Sequence, residues 1–145
     1  MLSMQSRYAL KALLYLARVN APEPVSINQI AQAENIPRKF LEAILVQLKR
    51  QNIVSSKMGK AGGYTLARAA AQIDFAEVIR AIEGPIALLP CASKNFYRPC
   101  NDCIDEEACG LRLVMIRARD QILDVLERTT LADAIASNAS ADAIV

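Results

Sequence analysis

The sequence predicts a mainly α-helical protein that carries one small β-hairpin. Hydrophobic residues make up 53% of the 145-residue chain, aromatic residues reach only 5% and tryptophan is absent, which favours an aliphatic helical core over a β-sandwich. Several segments place apolar side chains at the spacing of one helix face. Three of the five glycines lie within residues 59–63, between two short segments with strand character.

The first two helices are predicted from apolar spacing and from a capping motif. The first covers about residues 3–19, where the recurring apolar residues are Leu10, Leu13, Leu14 and Ala17. Two prolines within residues 21–24 end this helix. Ser26 and Gln29 then form a capping box, which predicts the beginning of a second, short helix.

A third helix and a hairpin follow a tight connection at residues 34–36. Pro37 is suited to the first turn of this helix, where its missing N–H group costs nothing. The apolar stripe of the helix comprises Leu41, Ile44, Leu45 and Leu48. Strand-forming residues at 53–56 and 64–66 flank a basic, glycine-rich tip at 57–63. Two short helices followed by a basic hairpin predict a winged helix-turn-helix.

The next segments are one helix and one long loop. Asp74 and Glu77 form a second capping box and open a helix that is predicted to end near Gly84. Residues 86–109 show no helical or strand periodicity and contain every cysteine of the chain. A loop of this length inside a compact domain is usually functional.

A long helix free of glycine and proline is predicted at residues 111–128. One of its apolar stripes has the rhythm of a coiled coil and comprises Leu111, Met115, Ala118, Ile122 and Val125. A second stripe comprises Val114, Leu123 and Leu126. We expect one stripe to pack on the chain's own domain and the other to join two copies in a homodimer. The alternative is a single buried helix.

These elements divide the chain into four parts. Residues 1–84 form a winged helix-turn-helix domain, 85–110 a cysteine-rich loop, 111–137 a dimerisation helix with a short C-terminal helix, and 138–145 a flexible tail. The predicted fold class is therefore mainly α with a β-hairpin wing, plus a long dimerisation helix.

The charge is distributed unevenly along the chain. Residues 1–80 carry 11 basic and 5 acidic side chains, whereas residues 81–145 carry 6 basic and 10 acidic ones. A basic first half suits a surface that meets phosphate groups. No segment approaches the roughly 20 apolar residues of a membrane span, and no clear signal cleavage site follows the first helix. We therefore expect a cytoplasmic protein with no membrane partner.

Double-stranded DNA is the partner that the helix pair and the hairpin favour. In a winged helix-turn-helix the second helix of the pair enters the major groove, so Arg38 and Lys39 are expected to reach phosphate or guanine. Glu42 is expected either to accept a hydrogen bond from cytosine or to pair with one of these two cations. Ser26, at the beginning of the helix pair, completes the candidates on the helices.

The hairpin tip supplies the remaining DNA-binding candidates. Lys57 and Lys60 provide cations, and Gly62 and Gly63 allow a close approach of the main chain to the backbone or the minor groove of DNA. An ordinary surface turn is the alternative. The chain has no histidine and no phosphate-binding glycine loop after a strand, so we expect neither an enzyme nor a small-molecule substrate.

The four cysteines lie within 19 residues, at Cys91, Cys100, Cys103 and Cys109. In a reducing compartment such clustering suggests a metal site before a disulfide. Three interpretations remain open from the spacing: an iron–sulfur cluster held by three or four thiolates, a zinc site, and a metal-free thiol switch. The zinc motif is incomplete because Cys100-x-x-Cys103 has no second Cys-x-x-Cys partner.

Two other classes of protein are disfavoured. A thiol oxidoreductase would need a βαβ setting that the sequence does not predict. A zinc-stabilised interaction module that never binds DNA is disfavoured by the basic wing.

Five short motifs resemble the Rrf-two family of bacterial winged-helix transcription regulators, the iron–sulfur regulators of the IscR, NsrR and RirA type. They are Ser6-Arg7-Tyr8-Ala9-Leu10, Leu41-Glu42, Gly59-Lys60-Ala61-Gly62-Gly63-Tyr64, Glu77-Val78-Ile79 and Cys109-Gly110-Leu111. The resemblance covers roughly residues 1–135.

The resemblance implies a two-iron (2Fe-2S) or four-iron (4Fe-4S) cluster on three cysteines between the wing domain and the long helix. Cys103 and Cys109 match the gap of five residues between the family's last two ligands, and Cys91 matches the first. Cys100 is additional, and it is either a fourth ligand, a substitute for Cys103 or a spare thiol. A histidine or an N-terminal acidic fourth ligand does not carry over, because the chain has no histidine and has Arg7 at the N-terminal place. The fourth ligand is therefore open between Cys100 and one of the loop acids Asp102, Asp105, Glu106 and Glu107.

Overall fold

A computed structural model describes residues 2–142 of the chain. This part folds into six helices and one two-stranded antiparallel hairpin. In order they are α1 (Met4–Val19), α2 (Ile27–Glu34), α3 (Arg38–Arg50), β1 (Val54–Lys57), β2 (Gly63–Leu66), α4 (Phe75–Glu83), α5 (Gly110–Arg128) and α6 (Leu131–Asp142). Two single 3-10 turns, Ala70–Gln72 and Pro90–Ala92, lie between them. The predicted fold class is confirmed.

The hydrophobic core lies where α1 packs against α2, α3, α4 and α6. Its largest fully buried side chains are aliphatic, as the composition predicts: Leu13, Ile30, Leu41, Ile44, Leu45, Leu48, Ile53, Ile73 and Leu131. The predicted stripe of α3 is buried in full, which turns the opposite face of that helix to the surface.

Both predicted capping boxes form only one of their two hydrogen bonds. The Ser26 hydroxyl accepts from the Gln29 N–H group at 3.2 Å, but the Gln29 side chain turns instead to the Tyr15 hydroxyl at 3.0 Å. Asp74 likewise accepts from the Glu77 N–H group at 2.8 Å, while the Glu77 carboxylate pairs with Arg68. Each side chain that would have reached back to the cap ties its helix to another segment.

The connection between α2 and α3 differs from the prediction by one residue. Asn35 ends α2 in the left-handed conformation, with φ 53°, which asparagine tolerates well. Pro37 lies at the N-cap of α3, not in its first turn, and its carbonyl oxygen accepts from the Phe40 and Leu41 N–H groups at 3.1 Å each. Proline is compatible with this place because it needs no hydrogen bond from its own nitrogen.

The hairpin is held on both sides of β2. On one side β1 pairs with β2 in the register Val54↔Leu66 to Lys57↔Gly63. On the other side Val25 and Tyr64 exchange both of their backbone hydrogen bonds, at 2.9 and 2.8 Å. The wing is therefore joined to the segment that leads into α2.

The C-terminal helix is longer than predicted. Leu131 is fully buried, and its N–H group donates to the Ile73 carbonyl oxygen at 2.9 Å, so α6 is anchored at its beginning. The helix continues to Asp142, five residues into the segment predicted as a flexible tail from residue 138. The last part of that segment, 143–145, lies outside the described residues. Between residues 2 and 142, no helix combines the length and apolar character that crossing a bilayer requires.

Candidate DNA-binding surface and cysteine loop

The exposed face of α3 carries the three side chains that the sequence predicts for DNA contact. Arg38, Lys39 and Glu42 are all exposed. The Arg38 guanidinium donates to the Glu42 carboxylate at 3.0 Å and to the Asn28 side-chain oxygen at 2.9 Å. The structure thus contains the predicted alternative for Glu42, a pair with a neighbouring cation. Asn28 was missed by the sequence reasoning, although its place in the first turn of α2 beside Ser26 could have suggested it.

The Arg38–Glu42 ion pair is weak. Both side chains are more than half exposed, at 57% and 53%. An exposed pair four residues apart on a helix contributes only about 0.3–0.5 kcal/mol. Its replacement by another polar contact therefore costs little free energy, and the pair holds both side chains together on the exposed face of α3.

The wing tip is open to solvent. Lys57 and Lys60 are exposed, and Met58 between them is 93% exposed. Gly59 turns the chain with φ +107°, and its carbonyl oxygen accepts from the Gly62 N–H group at 3.0 Å. The sequence reasoning missed Lys49, whose ammonium group donates to the Ser56 hydroxyl at 2.6 Å and adds a cation between α3 and the wing.

Gly62 and Gly63 have an internal role in the structure. A Cβ on Gly62 would lie 2.3 Å from the Lys57 carbonyl oxygen, and one on Gly63 would lie 2.2 Å from the Val25 carbonyl oxygen. Both distances are far below van der Waals contact, so any side chain at these positions forces the backbone apart. Ser26, predicted for DNA contact, is exposed and acts as the cap of α2.

The cysteine loop brings two of its thiols close together. Cys91 is buried in the turn Pro90–Ala92, while Cys100 is exposed, and their sulfur atoms lie 3.7 Å apart. Cys103 is exposed, and Cys109 caps α5, where its sulfur accepts from the Arg112 N–H group at 3.4 Å. Among residues 2–142, no three Cys, Asp or Glu side chains converge in the arrangement of a metal site.

The donor chemistry and the close pair fit a thiolate-bound metal. With metal–sulfur bonds of about 2.3 Å, two ligands of one tetrahedral metal lie about 3.8 Å apart. The Cys91–Cys100 separation of 3.7 Å matches that edge. A complete set of ligands still requires the loop to move Cys103, Cys109 or both toward this pair.

A hydrogen bond and partial desolvation disfavour free thiolates on this loop. The hydrogen bond with Cys91 raises the pKa of the Cys100 thiol, and partial desolvation raises it further. Partial desolvation is also the largest cause that raises the pKa of the Cys103 thiol, and the charges of the nearby Cys109 and Glu106 raise it further. A bound cation would reverse this balance because it stabilises the thiolate form directly.

Two arginines of α5 hold the segment that carries Cys91. The Arg112 side chain donates to the Cys91 carbonyl oxygen at 3.1 Å, and Arg119 donates to the carbonyl oxygen of Ala92. The Arg119 side chain is only 10% exposed and also pairs with Asp120 at 2.7 Å. The sequence reasoning missed both arginines, although their separation of seven residues places them on one helix face.

The apolar residues of α5 separate into an inner and an outer face. Leu123 is buried and Leu126 packs partly against the core, so these two members of the second predicted stripe form the inner face. Val114, the third member of that stripe, is instead 57% exposed. In the predicted coiled-coil stripe, Leu111, Ile122 and Val125 are exposed, at 59%, 39% and 63%, whereas Met115 and Ala118 are half-buried. Several exposed large apolar side chains on one helix are typical of an interaction surface.

Comparisons with known proteins agree with this architecture. The family model described as "Rrf2: Iron-dependent Transcriptional regulator" matches residues 2–137. An rrf2-like HTH-type transcriptional regulator of Rhodobacter capsulatus is 41% identical over 140 residues, which cover 94% of this chain and 93% of that protein.

Two solved structures extend the comparison. CymR (YrzC), described as the global cysteine regulator of B. subtilis, has a TM-score of 0.78 at 31% identity and covers 94% of this chain and 97% of its own. IscR of T. potens has a TM-score of 0.74 at 25% identity, with coverage of 95% and 88%. The family and these relatives are transcription regulators, not enzymes, and the chain belongs to the Rrf2 family of winged-helix transcription regulators.

Proposed function

We propose that the protein is a homodimeric, cytoplasmic regulator whose affinity for a two-fold-related DNA operator is controlled by an iron–sulfur cluster on the cysteine loop. The observation that carries this proposal is the attachment of the cysteine segment to α5 through Arg112. The same helix bears the exposed apolar face, so one element connects the candidate cofactor site with the candidate dimer contact. The description of the family as iron-dependent supports iron as the metal.

The candidate ligands are Cys91, Cys103 and Cys109, with Cys100 as a fourth. When bound, a cluster supplies a centre that responds to iron supply, oxidation or nitric oxide by changing its state or leaving the protein. The chain's own residues transmit the change. Arg112 and Arg119 fix the Cys91 segment to α5, and Cys109 caps the same helix, so a shift of the loop moves the beginning of α5.

Dimerisation would convert this shift into a change of DNA affinity. If α5 joins two copies, its tilt sets the distance between the two α3 helices. Two half-sites on one face of B-DNA are about 34–36 Å apart, so a small change in this distance disturbs both contacts. A coupling of about 1–3 kcal/mol would change operator affinity roughly 5- to 150-fold.

A second candidate is a regulator of the same fold that uses zinc or a disulfide in place of a cluster. The specific observation in its favour is the close approach of the Cys91 and Cys100 sulfur atoms. The similarity to CymR, described as a cysteine regulator, is consistent with thiol-based sensing.

Anaerobic purification with an absorption spectrum and iron, sulfide and zinc analysis tests the cofactor. We expect a visible chromophore that is lost in Cys91→Ser, Cys103→Ser and Cys109→Ser. The Cys100→Ser variant then shows whether the fourth thiol is a ligand. Colourless protein that contains one zinc per chain would refute the cluster and favour the second candidate.

DNA binding is tested separately by an operator shift assay over a range of salt concentrations. Replacing Lys57 and Lys60 by Ala should weaken binding to DNA of any sequence. The slope of log affinity against log salt concentration should become shallower by about two, one for each phosphate contact that is lost. Replacing Arg128, which is 80% exposed at the C-terminal end of α5, by Ala is a control for the loss of one surface charge outside the wing and the cysteine loop. Unchanged affinity in the wing variant would place the wing away from DNA.

A further inference from the structure

We propose that Cys91 and Cys100 form an intramolecular disulfide when the loop holds no metal, with Cys100 as the thiol that is oxidised first. The pairing follows from the geometry of the loop alone. Its consequence for cofactor uptake rests on the proposed function.

Two contacts single out this pair among the four thiols. The sulfur atoms of Cys91 and Cys100 lie 3.7 Å apart, so a disulfide requires them to approach by about 1.7 Å. The Arg98 N–H group donates to the Pro90 carbonyl oxygen at 3.3 Å, which brings the chain just before Cys100 back onto the turn that holds Cys91. Cys109, by contrast, is occupied as the cap of α5.

The environments of the two thiols assign their roles. Cys91 is only 4% exposed, and Arg112 fixes its backbone, so it cannot meet an oxidant in solution without loop opening. Cys100 is exposed on an irregular segment that can supply the required movement. We therefore assign Cys100 as the thiol that reacts with the oxidant and Cys91 as the resolving thiol.

With hydrogen peroxide as oxidant, the chemistry balances in two steps. The Cys100 thiol gives up its proton and attacks one peroxide oxygen, so an S–O bond forms, the O–O bond breaks, and the leaving hydroxide takes up the thiol proton to become water. The Cys91 thiol then attacks the Cys100 sulfur, so the S–S bond forms, the S–O bond breaks and a second water leaves. Two thiols lose two electrons, and one peroxide becomes two waters.

Disulfide formation removes Cys91 from the set of metal ligands. Metal-free protein that has met an oxidant would then need a thiol reductant before it could be loaded again. Because of Cys100, metal-free protein would thus stay unable to bind a cluster after oxidation until it is reduced, which the three matching cysteines alone do not provide.

Peptide mapping of the full-length, chelator-treated protein tests the pairing, because the sequence allows each cysteine to be isolated. Trypsin cleaves after Lys94, and cleavage before Asp102 and before Asp105 by an Asp-specific protease separates the other three thiols. After peroxide treatment and alkylation, peptide 81–94 should be linked to peptide 95–101. Free thiols should fall from four to two per chain.

Matched serine variants complete the test. Cys100→Ser should abolish the linked peptide, while Cys103→Ser, at the neighbouring exposed cysteine, should retain it. A link from Cys91 to Cys103 or Cys109, or four free thiols after peroxide, would overturn the proposal. Iron uptake by the oxidised protein should be lost until dithiothreitol is added, and undiminished uptake would overturn the proposed consequence.

The two proposals fail in different ways. A cluster spectrum together with a wrong or absent Cys91 link refutes the pairing and leaves the cluster in place. A correct link in protein that never binds iron supports the pairing and refutes the cofactor.

Discussion

Replacing Gly63 by alanine should separate the wing from the helix pair. The new Cβ would lie 2.2 Å from the Val25 carbonyl oxygen, so β2 or the Val25 segment must move. That movement breaks the two backbone hydrogen bonds between Val25 and Tyr64, each of which contributes about 0.5–1.5 kcal/mol. Steric overpacking adds about 1–3 kcal/mol, while alanine recovers about 0.4–1 kcal/mol by restricting the unfolded chain.

The net loss of folding free energy for Gly63→Ala is therefore about 1–6 kcal/mol. At about 2.1 cal/mol/K per residue, each kcal/mol lowers the unfolding midpoint of this chain by about 3 °C, so we expect a decrease of about 3–18 °C. Thermal unfolding followed by circular dichroism measures it, at one fixed protein concentration because the midpoint of any self-associating protein depends on concentration.

The matched control is Gly59→Ala in the same hairpin. Its Cβ would meet nothing within 4 Å, and only the φ of +107° opposes it. That strain costs about 1 kcal/mol or somewhat more. A midpoint for Gly63→Ala no lower than that of Gly59→Ala would refute the close approach of β2 to Val25.

Three further predictions concern stability, each read from urea denaturation. Leu13→Ala removes a fully buried side chain of α1 and should cost about 2–5 kcal/mol, and a loss below 1 kcal/mol would contradict its place in the core. Ser26→Ala removes the cap of α2 and should cost about 1 kcal/mol, whereas Ser26→Asp, which can still cap, should lose much less. Glu83→Gln should cost a few tenths to about 1 kcal/mol at neutral pH, because hydrogen bonds from Ser6 and from the Ser3 N–H group at the beginning of α1 lower the pKa of Glu83. Because the pKa of Glu83 is lower in the folded than in the unfolded chain, its carboxylate stabilises the fold at pH values above the unfolded-state pKa, and this stabilisation is lost as the pH falls through the folded-state pKa. Wild type and variant should therefore become equally stable in acid. A stability difference that does not depend on pH would exclude this role.

Much of the fold could be predicted because its signals are local. The spacing of apolar residues predicted α1 and α3, and the cluster of glycines predicted the tip of the hairpin. The length of α6 was missed because its C-terminal end contains small and polar residues, while its anchor, Leu131, packs on distant parts of the chain.

The parts of the site that were missed depend on contacts between residues far apart in sequence. Val25 joins Tyr64 across 39 positions, and Arg112 reaches the Cys91 carbonyl oxygen across 21. No periodicity within one segment records such a contact. The sequence located the four cysteines but could not show which two approach each other, since that depends on how the chain at residues 93–99 folds back.

The two ends of α5 are attached to different parts of the chain, so the helix can tilt about its C-terminal part. Near its C-terminal end it is secured by buried Leu123 and by the Arg80–Glu127 ion pair at 2.5 Å, whereas its first turn is held through the cysteine segment. From Leu123 back to Gly110 the helix extends about 20 Å, so a tilt of about 5° at this pivot displaces the tip by roughly 1.7 Å. A rearrangement of the loop no larger than one bond length would therefore be enough to reorient the whole outer face of the helix.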